Sequence, residues 1–176
     1  MEPAQIPDMV LDIVSEVDGP ALLELYRSIG MIGRNADGSE TTDLRPWIRS
    51  LNGTLVGRKL VVDGILVGGG QLTRQKQMHV YELGYWIGST HQSKGYGTIV
   101  ARLFAELAFT QLSCHRLFAK TSSRNRASIR VLEKSGFKLE GTLRDVFQSD
   151  GVFYDEVYYG CLASEWRAGQ ASAGAP

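Results

Sequence analysis

Residues 90–98 read THQSKGYGT, and this short stretch separates two strongly apolar segments. YELGYWIG precedes it at residues 81–88, and IVARLFAELAF follows it at residues 99–109. The first segment is typical of a strand, whereas the second keeps the spacing of an amphipathic helix. Gly95 and Gly97 are therefore expected in a loop that joins a strand to a helix.

The two glycines allow two interpretations. The first is a tight turn before a helix. The second is a loop that turns its backbone N–H groups towards a phosphate, because the start of a helix has N–H groups without intrahelical partners and a positive dipole end. Glycine lets a phosphate approach without a Cβ atom in the way, and Lys94 adds a positive charge. Neither GxxxxGK[ST] nor GxGxxG occurs here, so the loop is not a Walker or dinucleotide motif.

Composition limits the class of protein. The 19 basic residues balance the 19 acidic ones, which argues against a protein that mainly binds nucleic acid or an anionic membrane. No apolar run reaches the roughly 18 residues that span a bilayer. Two cysteines without CxxC spacing favour a reduced, cytoplasmic setting. The three histidines lack the spacing of a zinc site, so no metal is expected.

The remaining patterns predict an α+β fold. Asp63-Gly64 joins two strand-like runs as in a β-hairpin. Helical patterns occur at residues 19–30, 43–51, 98–112 and 125–134. We expect a mixed, mostly antiparallel central sheet flanked by helices, in a single domain over residues 1–166. The small and polar tail at residues 167–176 is expected to be disordered.

Two longer motifs carry a resemblance to a known family. Gln92-Ser93-Lys94-Gly95-Tyr96-Gly97 fits the pattern Q/R-x-x-G-x-G/A between a strand and a long helix. This combination resembles the GNAT superfamily of N-acetyltransferases. RNRASIRVLEKSGFKLEGTLRD, at residues 124–145, and DEVYYGCLASEW, at residues 155–166, resemble the Rim-type branch, whose founding members acetylate the N-termini of ribosomal proteins. The similarity is specific from about residue 55 to residue 166.

The resemblance implies an enzyme that transfers the acetyl group of acetyl-CoA to a primary amine, on a fold whose central strands splay apart. The loop amides would hold the cofactor's pyrophosphate, and the strand at Trp86-Ile87-Gly88 would separate from the strand near 119–121 to admit the pantetheine arm. A backbone amide near Ile87 would polarise the thioester carbonyl. The implied cofactor-binding residues are Trp86, Ile87, Gly88, Gln92, Ser93, Lys94, Gly95, Tyr96, Gly97, Thr98, Asn125 and Ser128.

Ser128 and Asn125 occur together at the family's spacing. Ser128 resembles the serine proposed to protonate the departing thiolate, but a serine hydroxyl is a poor acid, so a hydrogen-bonding role or a water-mediated one is also open. Other branches use a tyrosine, which makes Tyr158 and Tyr159 alternatives. Asn125 resembles the asparagine that contacts the pantetheine arm, although asparagine also caps helices well.

Glu82 is the candidate for the base that removes the amine proton. The resemblance implies this role because several branches use a carboxylate on the same strand. Glu82 could equally be a solvent-facing charge on a half-buried strand. Some Rim-type enzymes have a glutamate where this chain has Phe147, so proton loss through water alone stays open.

The acceptor is not encoded in a readable motif. It could be a protein N-terminal α-amine or a small amine such as a polyamine or an antibiotic. A second hypothesis is a noncatalytic acyl-CoA-binding or sensing module on the same fold. A homodimer, formed through a sheet edge or the last strand, is compatible with the resemblance.

Overall fold

The structure is a computed structural model that describes residues 9–31, 40–50, 55–77, 79–149 and 151–173. These residues form seven strands and five α-helices. The strands are β1 (Met9–Ile13), β2 (Leu55–Val62), β3 (Ile65–Arg74), β4 (Val80–Ile87), β5 (Arg116–Ser122), β6 (Lys138–Ser149) and β7 (Val152–Leu162). The helices are α1 (Gly19–Ser28), α2 (Arg45–Ser50), α3 (Tyr96–Gln111), α4 (Arg126–Lys134) and α5 (Ala163–Ala173).

The strands form one sheet in the order β1-β2-β3-β4-β5-β7-β6. β1 is antiparallel to β2, and β7 is antiparallel to both β5 and β6, whereas β4 and β5 are parallel. The sheet is thus mixed and mostly antiparallel, and the predicted α+β fold is confirmed. Asp63 and Gly64 connect β2 to β3 with φ angles of 50° and 78°. Two consecutive positive φ angles are the requirement of a tight hairpin turn, so the predicted hairpin is also confirmed.

The chain divides into two compact units, the first comprising Met1–Gln71 and Tyr85–Tyr96, the second Leu72–Gly84 and Gly97–Pro176. In the first unit α1 buries one face because its apolar residues recur at helical spacing. Tyr26 of α1 meets Trp86 edge to face, with 5.2 Å between the ring centroids. The buried cluster consists of Val14, Leu22, Leu23, Leu25, Tyr26, Leu44, Ile48 and Trp86.

The second unit contains α3 and α4. The apolar face of α3 is fully buried at Val100, Phe104 and Ala108, as its spacing predicts. Gly136 ends α4 with a φ of 86°, and its N–H donates to the Glu133 carbonyl. Phe137 is 3% exposed. Gly136 therefore caps the end of the helix, and Phe137 anchors the following segment in the core.

The tail is one place where the sequence-based expectation was wrong. Residues 167–173 continue α5, which begins at Ala163, and residues 174–176 lie outside the described part. Glu165 explains how the helix begins, because its carboxylate accepts a hydrogen bond from the Leu162 N–H at 3.0 Å and pairs with Lys138 at 2.6 Å. Trp166 adds a ring contact with Phe109, at 5.8 Å between centroids. Small and polar composition therefore did not imply disorder here.

Ser135, at the end of α4, gives a stability prediction. Its side chain is 3% exposed, and its hydroxyl has no hydrogen-bond partner among the described residues. A buried hydroxyl without a partner costs free energy. We expect Ser135→Ala to raise the free energy of unfolding by about 1 kcal/mol, measured by urea denaturation. A loss of stability would show that the hydroxyl does have a partner.

Candidate active site

The glycine loop leads directly into α3. Ser93 and Gly95 have φ angles of 61° and 85°, so the backbone adopts the left-handed conformation at both residues before the helix begins at Tyr96. A Cβ atom added to Gly95 would meet nothing within 4 Å. The glycine is thus required by its backbone angle, while the space beside it is open. Gln92 fixes the start of the loop, because its side-chain Nε2 donates to the Ile87 carbonyl at 3.1 Å.

The loop has the features that a phosphate needs. The N–H groups of residues 95–98, at the start of α3, have no intrahelical partner, because the carbonyl groups four residues earlier lie outside the helix. They lie at the positive end of a 16-residue helix. Lys94 is exposed beside them. The residues present therefore fit the pyrophosphate of acetyl-CoA, since donors, charge and open space coincide.

At the end of β4, the N–H groups of Ile87 and Gly88 point in different directions. The Gly88 N–H donates to the Val67 carbonyl of β3 at 3.0 Å. Successive N–H groups of a strand point to opposite sides, so the Ile87 N–H points away from β3. The parallel ladder between β4 and β5 runs over Val80–Glu82 and Arg116–Phe118, and both strands continue beyond it.

Asn125 and Ser128 lie together at the start of α4. The Asn125 side-chain oxygen accepts a hydrogen bond from the Ser128 N–H at 3.0 Å, so Asn125 is the N-cap of the helix. The cap uses the carbonyl oxygen of the side chain, and the NH₂ group is a separate donor. Capping and a cofactor contact are therefore compatible. Ser128 is half-buried, in the first turn of the helix.

Glu82 belongs to a different group of side chains. One carboxylate oxygen lies 3.8 Å from Lys120 Nζ, and the other is 3.5 Å from Gln75 Nε2. Glu82 is 28% exposed. Lys120 and Gln75 were not anticipated from the sequence, because their proximity depends on the strand registers. Only the pairing of Glu82 with Phe118 brings Lys120, two residues further on β5, to the same face.

The two alternative proton donors occupy opposite faces of β7. Tyr158 stacks on Phe118, with 6.3 Å between ring centroids. Desolvation raises the pKa of the Tyr158 phenol, and its hydrogen bond with Glu156 adds to the rise. Desolvation likewise raises the pKa of Tyr159, and its hydrogen bond to Glu133, at 3.1 Å, acts in the same direction. Both phenols therefore keep their protons at neutral pH.

Within the described ranges, no group of three or more His, Cys, Asp or Glu side chains is arranged to hold a metal ion. None of the helices formed by the described residues is long and apolar enough to cross a membrane.

Comparison with known proteins identifies the class that this fold and loop define. A family model for the acetyltransferase (GNAT) domain matches residues 22–138. The putative ribosomal N-acetyltransferase YdaF of Bacillus subtilis (strain 168) is 35% identical over 137 residues, which cover 76% of this chain and 74% of YdaF. The chain therefore belongs to the GNAT acetyltransferases, and the resemblance to that superfamily is confirmed.

Two further matches agree with this assignment. The uncharacterized N-acetyltransferase YnaD of Bacillus subtilis (strain 168) is 33% identical over 89 residues, which cover 51% of this chain and 52% of YnaD. The match thus spans about half the length of that relative. A crystal structure of a probable acetyltransferase has a TM-score of 0.76 and 28% identity, and covers 90% of this chain and 94% of its own.

Proposed function

We propose that the protein transfers the acetyl group of acetyl-CoA to a primary amine, and that the acceptor is the N-terminal α-amine of a protein. The observation that carries the transfer is the loop at residues 92–98, where a left-handed glycine and the start of a long helix combine donors, charge and space. The acceptor class is supported by YdaF, whose name describes a ribosomal N-acetyltransferase and whose match spans 76% of this chain.

Three parts of the chain are proposed to hold acetyl-CoA. The amides of Gln92–Thr98 bind the pyrophosphate, with Lys94 contributing charge. The pantetheine arm contacts the backbone of Trp86-Ile87-Gly88. Because the Gly88 N–H is already donated to Val67, the Ile87 N–H is the amide proposed to polarise the thioester carbonyl. The NH₂ group of Asn125 donates to an amide carbonyl of the same arm.

The reaction needs a neutral amine and a proton for the leaving thiolate. The thioester supplies an electrophilic carbonyl, and bringing an amine to it makes the attack effectively unimolecular. Glu82 is proposed to accept the amine proton, directly or through water. Ser128 is proposed to donate a hydrogen bond to the thiolate and to relay a proton to it from water. Tyr158, which is protonated and lies on the same sheet face as Glu82, is the alternative donor.

Glu82→Gln tests the base. Gln keeps the size of the side chain but cannot take a proton. We expect kcat to fall about 100-fold, within the range of general base catalysis, and the rise of kcat with pH to flatten. The matched control is Glu106→Gln, which removes an exposed carboxylate from α3 and should leave the pH profile unchanged. An unaltered profile for the Glu82 variant would favour proton loss through water alone.

Ser128→Ala tests the hydrogen bond to the thiolate. The Ser128 N–H keeps its bond to Asn125 in this variant, so the helix cap is preserved. We expect kcat to fall about tenfold, the value of one hydrogen bond to a charged group, while the Kd for acetyl-CoA changes less than about twofold. Steady-state kinetics and calorimetry separate the two effects. If turnover is unaffected, Ser128 is structural and Tyr158 becomes the donor to test.

The proposal as a whole is tested by binding and turnover together. Calorimetry with acetyl-CoA measures cofactor binding, and a free-thiol assay measures transfer to N-terminal peptides, spermidine and an aminoglycoside. We expect binding, and thiol release with the peptides. Release only with spermidine or the aminoglycoside would keep the transfer and replace the acceptor. Binding without release from any acceptor would support the noncatalytic sensing module.

A homodimer stays a prediction. β6 is an edge strand of the sheet and, with β7, has exposed apolar side chains. These are Leu139, Leu143, Val146, Val152 and Phe153. Light scattering on the purified protein measures the oligomeric state.

A further inference from the structure

A pocket of about 280 Å³ lies in the second unit, beside α4 and over β6 and β7. It has no role in the proposed transfer. We call it the α4 pocket, and the residues that define it here are Arg126, Arg130, Glu133, Leu139, Val157 and Tyr159. Its volume is below the range of pockets for drug-sized ligands, so any ligand is a small molecule.

Two guanidinium groups line the pocket and carry its positive charge. Arg126 and Arg130 are four residues apart on α4, so they share one flank of the helix. Like charges at this spacing destabilise each other. Within the described part of the chain, neither side chain has a hydrogen bond or an ion pair. An anion between the two would relieve the repulsion and accept charge-assisted hydrogen bonds.

The other lining residues limit the charge of the anion and the kind of group attached to it. Glu133 is the acidic residue of the lining, and its carboxylate accepts the Tyr159 hydroxyl at 3.1 Å. Two arginines and one glutamate leave a net charge of +1, which matches a monoanion. Val157 is 7% exposed at the apolar side of the pocket, and Leu139 is 57% exposed at its rim. Apolar surface on that side would bury an apolar group.

The α4 pocket is separate from the residues proposed for acetyl-CoA. At about 100° per residue, Arg126, Arg130 and Glu133 fall on one flank of α4, and Ser128 falls on the opposite flank. We propose that the α4 pocket is a binding site for a small monocarboxylate with an apolar tail. The carboxylate lies between Arg126 and Arg130, and the tail packs on Val157 and Leu139. This site does not depend on the acetyl transfer.

Hexanoate is the probe for this site, and its neutral amide, hexanamide, is the matched control ligand. Two-dimensional NMR of the full chain would follow the amides of residues 123–133 and 157–159 during titration. We expect saturable shifts at these residues with hexanoate and at least tenfold weaker binding of hexanamide. Saturating acetyl-CoA should leave the affinity for hexanoate unchanged.

Protein variants test the same assignment. Arg126 and Arg130 are exposed, so the double change R126Q/R130Q should fold, which the thermal melt checks. We expect it to weaken hexanoate binding at least tenfold. Leu139→Ala should weaken it about threefold or more. Arg74→Gln, which removes an exposed arginine from the end of β3 in the same unit, should have no effect.

Several results would overturn the proposal. These are the absence of saturable shifts at the α4 pocket, equal binding of hexanamide, equal binding of inorganic phosphate, and unchanged affinity in R126Q/R130Q. Competitive displacement of hexanoate by acetyl-CoA would also overturn it, because the arginines would then belong to the cofactor site.

Discussion

A glutamate in place of Gly97 is expected to lower the affinity for acetyl-CoA about 100-fold or more. Gly97 lies in the first turn of α3, where the backbone amides are proposed to bind the pyrophosphate. Two unit charges of the same sign about 4 Å apart repel by about 4 kcal/mol at an effective dielectric constant of about 20. About 1.4 kcal/mol corresponds to a tenfold change in Kd. About two thirds of this repulsion is therefore sufficient to lower the affinity for acetyl-CoA 100-fold.

The fold should tolerate this change. A carboxylate in the first turn interacts favourably with the helix dipole, and glutamate is a better helix former than glycine. The thermal midpoint of Gly97→Glu is therefore expected to equal or exceed that of the parent. Calorimetric titration with acetyl-CoA and a thermal melt of the same preparation then separate lost binding from lost structure.

Two controls separate charge from size and from position. Gly97→Gln places a neutral side chain of the same length at the loop, and it should bind acetyl-CoA more tightly than Gly97→Glu. Gly169→Glu places the same charge on an exposed glycine of α5, where a Cβ would meet nothing within 4 Å. This variant should bind like the parent. Parent-like affinity in Gly97→Glu would falsify the phosphate role of the loop.

The sequence was informative wherever local chemistry dictates local structure. The Asp63-Gly64 turn and the helix after Gly95 each depend on residues within a few positions of one another, and the structure has both. Asn125 satisfies the capping interpretation directly through Ser128. Its contact with acetyl-CoA stays a prediction, because the cap alone accounts for the observed hydrogen bond.

Features that depend on strand register could not be predicted from the sequence. The pair of Glu82 and Lys120 exists because β4 and β5 align Glu82 with Phe118, and nothing in either segment specifies that alignment. α5 was missed for a related reason. Its ion pair between Glu165 and Lys138 joins residues that are distant along the chain, so composition alone predicted a disordered tail.

The reason for the glycine run of β3 also depends on strand pairing, so it could not be predicted from the sequence. As a sequence, VGGGQ at residues 67–71 is a poor strand former, because glycine in a strand interior weakens it. In the structure a Cβ atom on Gly68 would lie 2.5 Å from the Trp86 carbonyl oxygen. A Cβ atom on Gly69 would lie 2.5 Å from the Arg58 carbonyl oxygen. Both glycines are therefore required by close approach of neighbouring backbone.

Replacement of Gly69 by alanine is expected to lower the free energy of unfolding by about 3 kcal/mol, at the upper end of the usual cost of overpacking. The Arg58 carbonyl belongs to β2 and cannot rotate away as a side chain could. The Trp86 ring is also close, with Cζ2 at 3.1 Å from the added atom. Relief would require β2 or Trp86 to move within the buried core of the first unit. Urea denaturation measures the loss as a lower midpoint at unchanged slope.

Gly68→Ala should lower the free energy of unfolding by a similar amount, and it should also weaken the binding of acetyl-CoA. The added Cβ would meet both the Trp86 oxygen and the Ile87 side chain, the latter at 2.6 Å. Trp86 and Ile87 belong to the backbone segment proposed to contact pantetheine. Displacement of that segment should raise the Kd for acetyl-CoA of the variant that remains folded. Calorimetry at a temperature well below its thermal midpoint tests this second effect.

Gly141→Ala is the matched control for both variants. Gly141 is also a strand glycine, in β6, but a Cβ there would meet nothing within 4 Å. Its φ is outside the left-handed region, so alanine fits and reduces the freedom of the unfolded chain. This variant should be as stable as the parent or about 0.5 kcal/mol more stable. If Gly69→Ala were equally stable, β2 and β3 would be further apart than the structure places them, and steric need would not explain the glycine run.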